Sequence, residues 1–352
     1  MHPFVLAATL ATAAALNVSP AERTQLTEEL TAWTEAYGEA HLPEGVNPSD
    51  TDALLARLHA SKAAITALQA AQPSATFHLG RFGLYTLEEF NAFIAKSFGK
   101  GPVLSKEVAE VSPAGVGAAN GTVDWSATKC MNPVQDQGEC SSAWVFSTTA
   151  AVEAAHCIAT GTPIDVSEQD IVSCDRDLVD DGCKGGLEFT AIDWITKGGI
   201  CLAKDYPYTS GVDGKNGQCQ TTCTKQKLAI QSYKWAVGEP KMETTLQTQP
   251  LTVSVEAGNY AWMFYKGGVL TTCPGNEIDH TAVAVGYGSE NGVNYFKIRN
   301  SWGVSWGEQG HIRLLRGVGD KGMCNVAEFP IYPVIKGTPA PTTVAPTTKP
   351  AC

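Results

Sequence analysis

The chain of 352 residues predicts an α+β protein in which helices come first and strands last. Three observations lead there. Apolar residues recur at helical spacing between about Leu16 and Ala119. Four short strand-like runs, Leu251 to Glu256, Thr281 to Tyr287, Tyr295 to Arg299 and His311 to Leu315, crowd into the last third. All eleven cysteines lie from Cys130 onward, so the helical part has none to staple it.

In chain order, the apolar run from Phe4 to Leu16, with small residues at Ala13 and Ala15, reads as a signal peptide over residues 1–15. It is too short to span a bilayer, and no transmembrane segment is expected. Leu26, Leu30, Trp33 and Tyr37 then form one helical stripe. Leu54, Leu58, Ile65 and Leu68 form a second behind the capping cluster Ser49-Asp50-Thr51-Asp52. Leu87, Phe90, Ile94 and Phe98 form a third behind a capping box, Thr86 to Glu89. Three such helices bury little by themselves and are expected to fold against the rest of the chain. The Gly- and Ala-rich stretch Ser112 to Ala119 is a linker and cleavage zone, and Asn120-Gly121-Thr122 is a glycosylation acceptor sequence. A further helix is expected from Ser142 through Thr148, Val152 and Ile158 to the stop signal Gly161-Thr162-Pro163. Gly337 to Cys352 is a Thr/Pro tract, read as a disordered tail.

Hydrophobic residues make up 43% and charged residues 17%, ordinary for a globular protein, and the net charge of −11 argues against nucleic acid as a partner. No Cys-x-x-Cys pair occurs, so neither a metal nor any other cofactor is expected.

Three motifs carry the chemistry. Gln137-Gly138-Glu139-Cys140-Ser141-Ser142-Ala143-Trp144, Asp279-His280-Thr281-Ala282 and Asn300-Ser301-Trp302-Gly303 resemble, in that order, the nucleophile loop, histidine strand and asparagine segment of papain-family, cathepsin-L-like cysteine peptidases. His280 and Asn300 follow position 143 at roughly the 130–150 residues typical of the family. The resemblance covers about residues 120 to 336. It implies a papain-like domain over 119–336 with two lobes, a helical left lobe and a β-barrel-like right lobe, preceded by a helical inhibitory prodomain over 16–118 that occupies the cleft. The prodomain helix signature is eroded: of Asp50, Leu54, Leu58, Ser61, Ile65 and Gln69 only Ile65 keeps the expected residue, whereas Gly80, Phe82, Thr86, Glu89 and Phe90 match the next segment better.

By the same resemblance His280 is the general base, Asn300 orients its imidazole, Trp302 shields that bond, and the Gln137 amide joins the position-143 backbone N–H in an oxyanion hole. Gly185 and Gly186 would bind a substrate backbone, while Leu187, Glu188, Ser254, Thr281 and Phe329 would line an apolar, shallow specificity pocket. Cys140 would pair with Cys183, Cys174 with Cys219 or Cys223, and Cys273 with Cys324. Cys130, Cys157, Cys201 and Cys352 fall outside that framework. His156 and His311 lie outside the motifs and read as surface or structural residues. Implied partners are extended peptides or proteins and cystatin-like inhibitors, in the secretory pathway, outside the cell or in a lysosome or vacuole.

The family's nucleophile is cysteine, and here the position holds Ala143. A methyl group can neither ionise nor attack a carbonyl, and Ser142, one residue earlier, is turned about 100° away on a helix. Three readings follow: a homologue that binds peptides without cutting them, an endopeptidase zymogen carrying an engineered Cys→Ala143 change, or a structural secreted protein with an idle cleft. Ser141 in place of the family's glycine and the eroded prodomain signature favour the first. Retention of Gln137, His280, Asn300 and Trp302 favours the second.

Overall fold

The computed structural model describes residues 16–94, 121–177, 179–273, 277–319 and 321–337. The leader, the linker, Asn120, Phe98, Cys352 and nearly all of the Thr/Pro tract lie outside them. In chain order the elements are α1 (Pro20–Tyr37), α2 (Thr51–Ala71), β1 (Ala75–Phe77), α3 (Leu87–Ile94), β2 (Val123–Asp124), α4 (Ala143–Thr160), α5 (Glu168–Cys174), α6 (Glu188–Gly198), β3 (Ile230–Trp235), α7 (Glu239–Leu246), β4 (Leu251–Val255), α8 (Tyr260–Met263), β5 (Tyr265–Leu270), β6 (His280–Glu290), β7 (Val293–Arg299), β8 (His311–Leu315) and β9 (Ile331–Ile335).

The N-terminal helices form where their caps place them. Ser19 and Asp50 accept backbone N–H bonds at the starts of α1 and α2. At α3 the capping box closes in both directions, Thr86 N–H to Glu89 Oε2 at 2.8 Å and Glu89 N–H to Thr86 Oγ1 at 3.2 Å. Leu26, Leu30, Trp33, Leu54, Leu55, Leu58 and Leu84 make a small core between α1 and α2. Arg57 ties α2 to α3 through two bonds to Glu89, at 2.6 and 2.9 Å.

This segment then joins the main core, as the sequence leads one to expect, and also does something it does not announce. Phe77, Phe82, Tyr85, Phe90 and Ile94 share one apolar cluster with Trp262, Trp302 and Trp306. β1 adds antiparallel to β5, pairing Ala75 with Gly268. Gly268 lies at φ 81°, and a Cβ there would meet the Ser74 carbonyl oxygen at 2.3 Å, so glycine admits the extra strand.

The remaining strands run in the order β5-β8-β7-β6-β4-β9-β3, with β2 on β6. The four runs expected from the sequence are β4, β6, β7 and β8; β1, β2, β3, β5 and β9 were not anticipated. Against this sheet lies α4, buried on every side from Ala143 to Ala155. It ends as expected at Gly161, in the left-handed conformation with φ 75°.

Five disulfides hold this part: Cys140–Cys183, Cys174–Cys219, Cys273–Cys324, Cys130–Cys157 and Cys201–Cys223. The first three agree with the resemblance, with Cys219 rather than Cys223 as the partner of Cys174. The last two are additions, each contributing about 2–4 kcal/mol by restricting the unfolded chain. Asp170, Cys201 and Cys223 lie close enough to suggest a metal site. The two cysteines are bonded to each other and Asp170 accepts from Lys225 Nζ, which leaves no ligand set there.

Burial shifts many titrations. It pushes Glu168 and Glu188 up to about 7, Asp175 to about 8, and Asp180 and Asp279 to about 6. It pushes His78, His280 and His311 down to about 4. Each raised carboxyl stabilises the fold fully below its unfolded pKa, near 4, and loses that contribution as pH rises through the folded value. Each lowered histidine does the reverse, losing its contribution as pH falls from about 6.5 to about 4. Between about pH 8 and 6.5 only the carboxyls act, and below that they outnumber the histidines. The melting temperature is therefore expected to be several degrees higher at about pH 5.5 than at about pH 8. Calorimetry giving a flat or opposite dependence would show that these carboxyls are not neutral in the folded protein.

Candidate active site

Position 143 is the first residue of α4, where unpaired backbone N–H groups and the helix dipole favour negative charge. Ala143 is fully buried and supplies only a methyl group. His280 opens β6, opposite Val255 of β4. The preceding Asp279 anchors that entry by accepting from the N–H groups of Ala257 (2.8 Å) and Gly258 (2.9 Å).

His280 Nε2 lies 2.8 Å from Asn300 Oδ1. The same Oδ1 accepts the Ser301 N–H at 2.8 Å, which requires an oxygen at that position. Nε2 is therefore the protonated nitrogen and the neutral ring presents a lone pair on Nδ1. That Nδ1 is buried and has no partner among the described residues. Burial lowers the imidazole pKa to about 4, with the Asn300 bond opposing the shift. Trp302 covers the pair, its ring centroid 4.8 Å from that of His280. A positioned base thus faces no proton donor.

The neighbouring hydroxyls do not fill the gap. Ser142 Oγ shares a bond with Tyr208 Oη at 2.9 Å, and Ser141 Oγ donates to the Phe93 carbonyl at 3.2 Å. Gln137 is close by, and its side-chain amide is held at both ends. Its Nε2 donates to the Cys140 carbonyl at 3.0 Å, and its Oε1 accepts from Ser301 Oγ at 2.7 Å. The Nε2 amino group carries two N–H bonds, so the bond to Cys140 leaves a second donor.

The glycine pair expected to bind a peptide backbone is shaped by close packing. Gly185 lies at φ 105°, and a Cβ on Gly186 would meet the Trp144 ring at 2.6 Å. The specificity set differs from the apolar, shallow pocket expected. Leu187, Glu188, Ser254 and Thr281 are all buried, and only Phe329 is part-exposed, against Trp235. Ser254 and Thr281 are register partners. Glu188 makes the set less apolar than its neighbours suggest, with one carboxyl oxygen unpartnered. Thr281 lines a small cavity with Ser147, Arg299 and Asn300. Of the two histidines outside the motifs, His156 accepts the Ala229 N–H and His311 is buried beside β7.

The sequence reading places a helical segment over the cleft but does not single out Arg81 or Phe93 as the residues that seat it. Phe82, Phe90 and Phe93 of the N-terminal segment pack on Trp302 at ring-centroid distances of 5.3, 5.6 and 6.3 Å. Arg81 donates to Asp136 (2.5 Å) and to the Trp302 carbonyl (3.0 Å). Phe93, at i+3 from Phe90, was the available signal. Tyr208, which also donates to the Gln137 carbonyl at 2.7 Å, left none.

A nucleophile position at a helix N-terminus, an oriented histidine and asparagine, and a covering helical segment define the architecture of a cysteine-peptidase proform. The family model for papain family cysteine protease matches residues 119–334, and the chain belongs to that family. It is 43% identical over 225 residues to cysteine proteinase COT44 of Brassica napus, covering 62% of this chain and 67% of that protein. It is 42% identical over 226 residues to germination-specific cysteine protease 1 of Arabidopsis thaliana, covering 62% and 58%. Among solved structures it resembles the proform of the ragweed pollen allergen Amb a 11, a cysteine protease, with a TM-score of 0.75 at 26% identity over 92% of this chain and all of that one. The papain-like α+β fold with a preceding helical segment is thereby established.

Proposed function

We propose that this protein is a secretory-pathway member of the family whose cleft holds extended polypeptide without cleaving it. In this reading residues 16–118 are an inhibitory prodomain and residues 119–336 the peptidase-like domain. The observation that carries it is the unpartnered Nδ1 of His280 beside a site whose nucleophile position is Ala143. Acyl transfer needs a group that the base can deprotonate, and an alanine methyl has no such proton. Five disulfides suit an oxidising compartment, and no helix of the described residues is long and apolar enough to cross a membrane.

The intact His280–Asn300 pair also supports a second reading, an active endopeptidase whose cysteine was replaced; an alanine codon at position 143 in the source gene excludes replacement by design. The test of function uses a fluorogenic extended peptide at mildly acidic pH. Saturable binding by anisotropy without release of fluorophore is expected. Steady hydrolysis that disappears in His280→Ala would overturn the proposal.

A further inference from the structure

We propose that the site beside Ala143 binds the free C-terminal carboxylate of a peptide, one oxygen taken by the start of α4 and the Gln137 amide, the other by a protonated His280. This rests on the peptide-cleft reading and names which peptides that cleft would hold.

The groups involved are tied into one frame. Thr281, next to His280 in β6, accepts from Ser147 Oγ at 3.4 Å, one turn along α4 from Ala143. On the other flank Gln137 Oε1 accepts from Ser301 Oγ at 2.7 Å, and the Ser301 N–H reaches the same Asn300 oxygen that holds His280 Nε2. The first N–H groups of α4 have no partner within the helix and favour an anion, and Gln137 Nε2 keeps one N–H after its bond to the Cys140 carbonyl. His280 is wholly buried, and its Nδ1 has no partner among the described residues.

A cysteine thiolate would place negative charge opposite that nitrogen. The Ala143 methyl supplies none, so the charge must arrive with the ligand. An uninterrupted peptide offers a carbonyl oxygen to the N–H donors but neither charge nor proton to Nδ1. A terminal carboxylate that binds together with one proton offers both: N–H bonds to one oxygen, and a charged hydrogen bond from Nδ1–H to the other. Burial keeps that bond out of water, where it is stronger than at a surface.

An anion against the ring raises the imidazole pKa in the complex above the value of about 4 that burial, opposed by the Asn300 bond, imposes on the free site. The charged groups around it are Asp279 ahead of it in the chain, Glu256 after β4, Arg299 before Asn300, and Arg81 on the Trp302 carbonyl. A raised pKa in the complex means that a proton is taken up on binding. Affinity is therefore greatest near pH 4 and falls by up to about tenfold per unit as pH rises toward the value in the complex. Below about pH 3.5 the peptide's own carboxyl is neutral and the ion pair is lost.

The test is fluorescence anisotropy on the full chain, with one N-terminally labelled peptide of alanine and leucine in three forms: a free carboxylate, a primary carboxamide, and a version continued by two residues and amidated. The carboxamide is uncharged yet still offers Nδ1 an N–H. It meets the same Asp279, whose pKa is pushed up to about 6, and so controls for that titration. The free acid is expected to bind about tenfold or more tighter than either other form at about pH 4.5, and to lose that advantage by about pH 7.5. His280→Gln, which cannot take up a proton, should flatten the pH dependence of the acid. Equal affinity of acid and carboxamide at about pH 4.5, or tighter binding of the continued peptide, overturns the carboxylate assignment and leaves peptide binding standing. Saturable binding of none of the three overturns both. The pH slope is read on the parent chain, so the test holds even where His280→Gln does not fold.

Discussion

Ala143→Cys is expected to yield a chain that cleaves peptides, with a gain over the alanine form on the order of 10⁶ in turnover by analogy with nucleophile deletion in a serine protease. The cysteine would stand at the N-terminus of α4, where the helix end favours a thiolate. It would give the unpartnered Nδ1 of His280 a proton to take, while Asn300 holds the ring in the required tautomer. Gln137, whose Nε2 spends one N–H on the Cys140 carbonyl, would offer its second to the developing charge. The measurement is labelling by a thiol-directed epoxide and release of a fluorogenic leaving group at mildly acidic pH, after the covering segment has been removed. Adding His280→Ala should abolish both gains in turnover. If Ala143→Cys is neither labelled nor active, the loop has drifted beyond repair by one atom.

Trp302→Ala is expected to cost about 3–5 kcal/mol of stability, as truncating a buried tryptophan does. The indole is fully buried and touches both halves of the molecule: His280, Trp262 and Trp306 on one side, Phe82, Phe90 and Phe93 on the other. Removing it leaves a cavity that three phenylalanines from a separate segment must fill. The N-terminal helices should therefore become more open to limited proteolysis as well. Thermal unfolding and the rate of cleavage within residues 16–94 check the two effects. An unaltered melting temperature would mean that the cluster collapses without penalty and that Trp302 is not the keystone of the cover.

What could be read in the sequence was local. The Thr86–Glu89 capping box, the start of α4 beside Ser142 and its stop at Gly161 depend on residues a few positions apart. So did the histidine and asparagine motifs, whose pairing the structure supplies at 2.8 Å. What escaped was decided at long range. Ala75-Thr76-Phe77 is too short to signal a strand, and its partner Gly268 lies far along the chain. The pairing of Cys130 with Cys157, and the choice of Cys219 over Cys223, follow from how close the folded backbone brings them. The burial of the specificity residues depends on how the folded lobes pack, a property no spacing encodes.

The pairing of β1 with β5 has a consequence for any processed form. β5 is held by β8 on its other flank. Excision of the leading helices would bare the main-chain donors and acceptors of Tyr265–Leu270 along an unprotected margin. A trimmed molecule would then invite self-association by strand exchange, and the leading piece would serve as a solubility guard as much as a stopper.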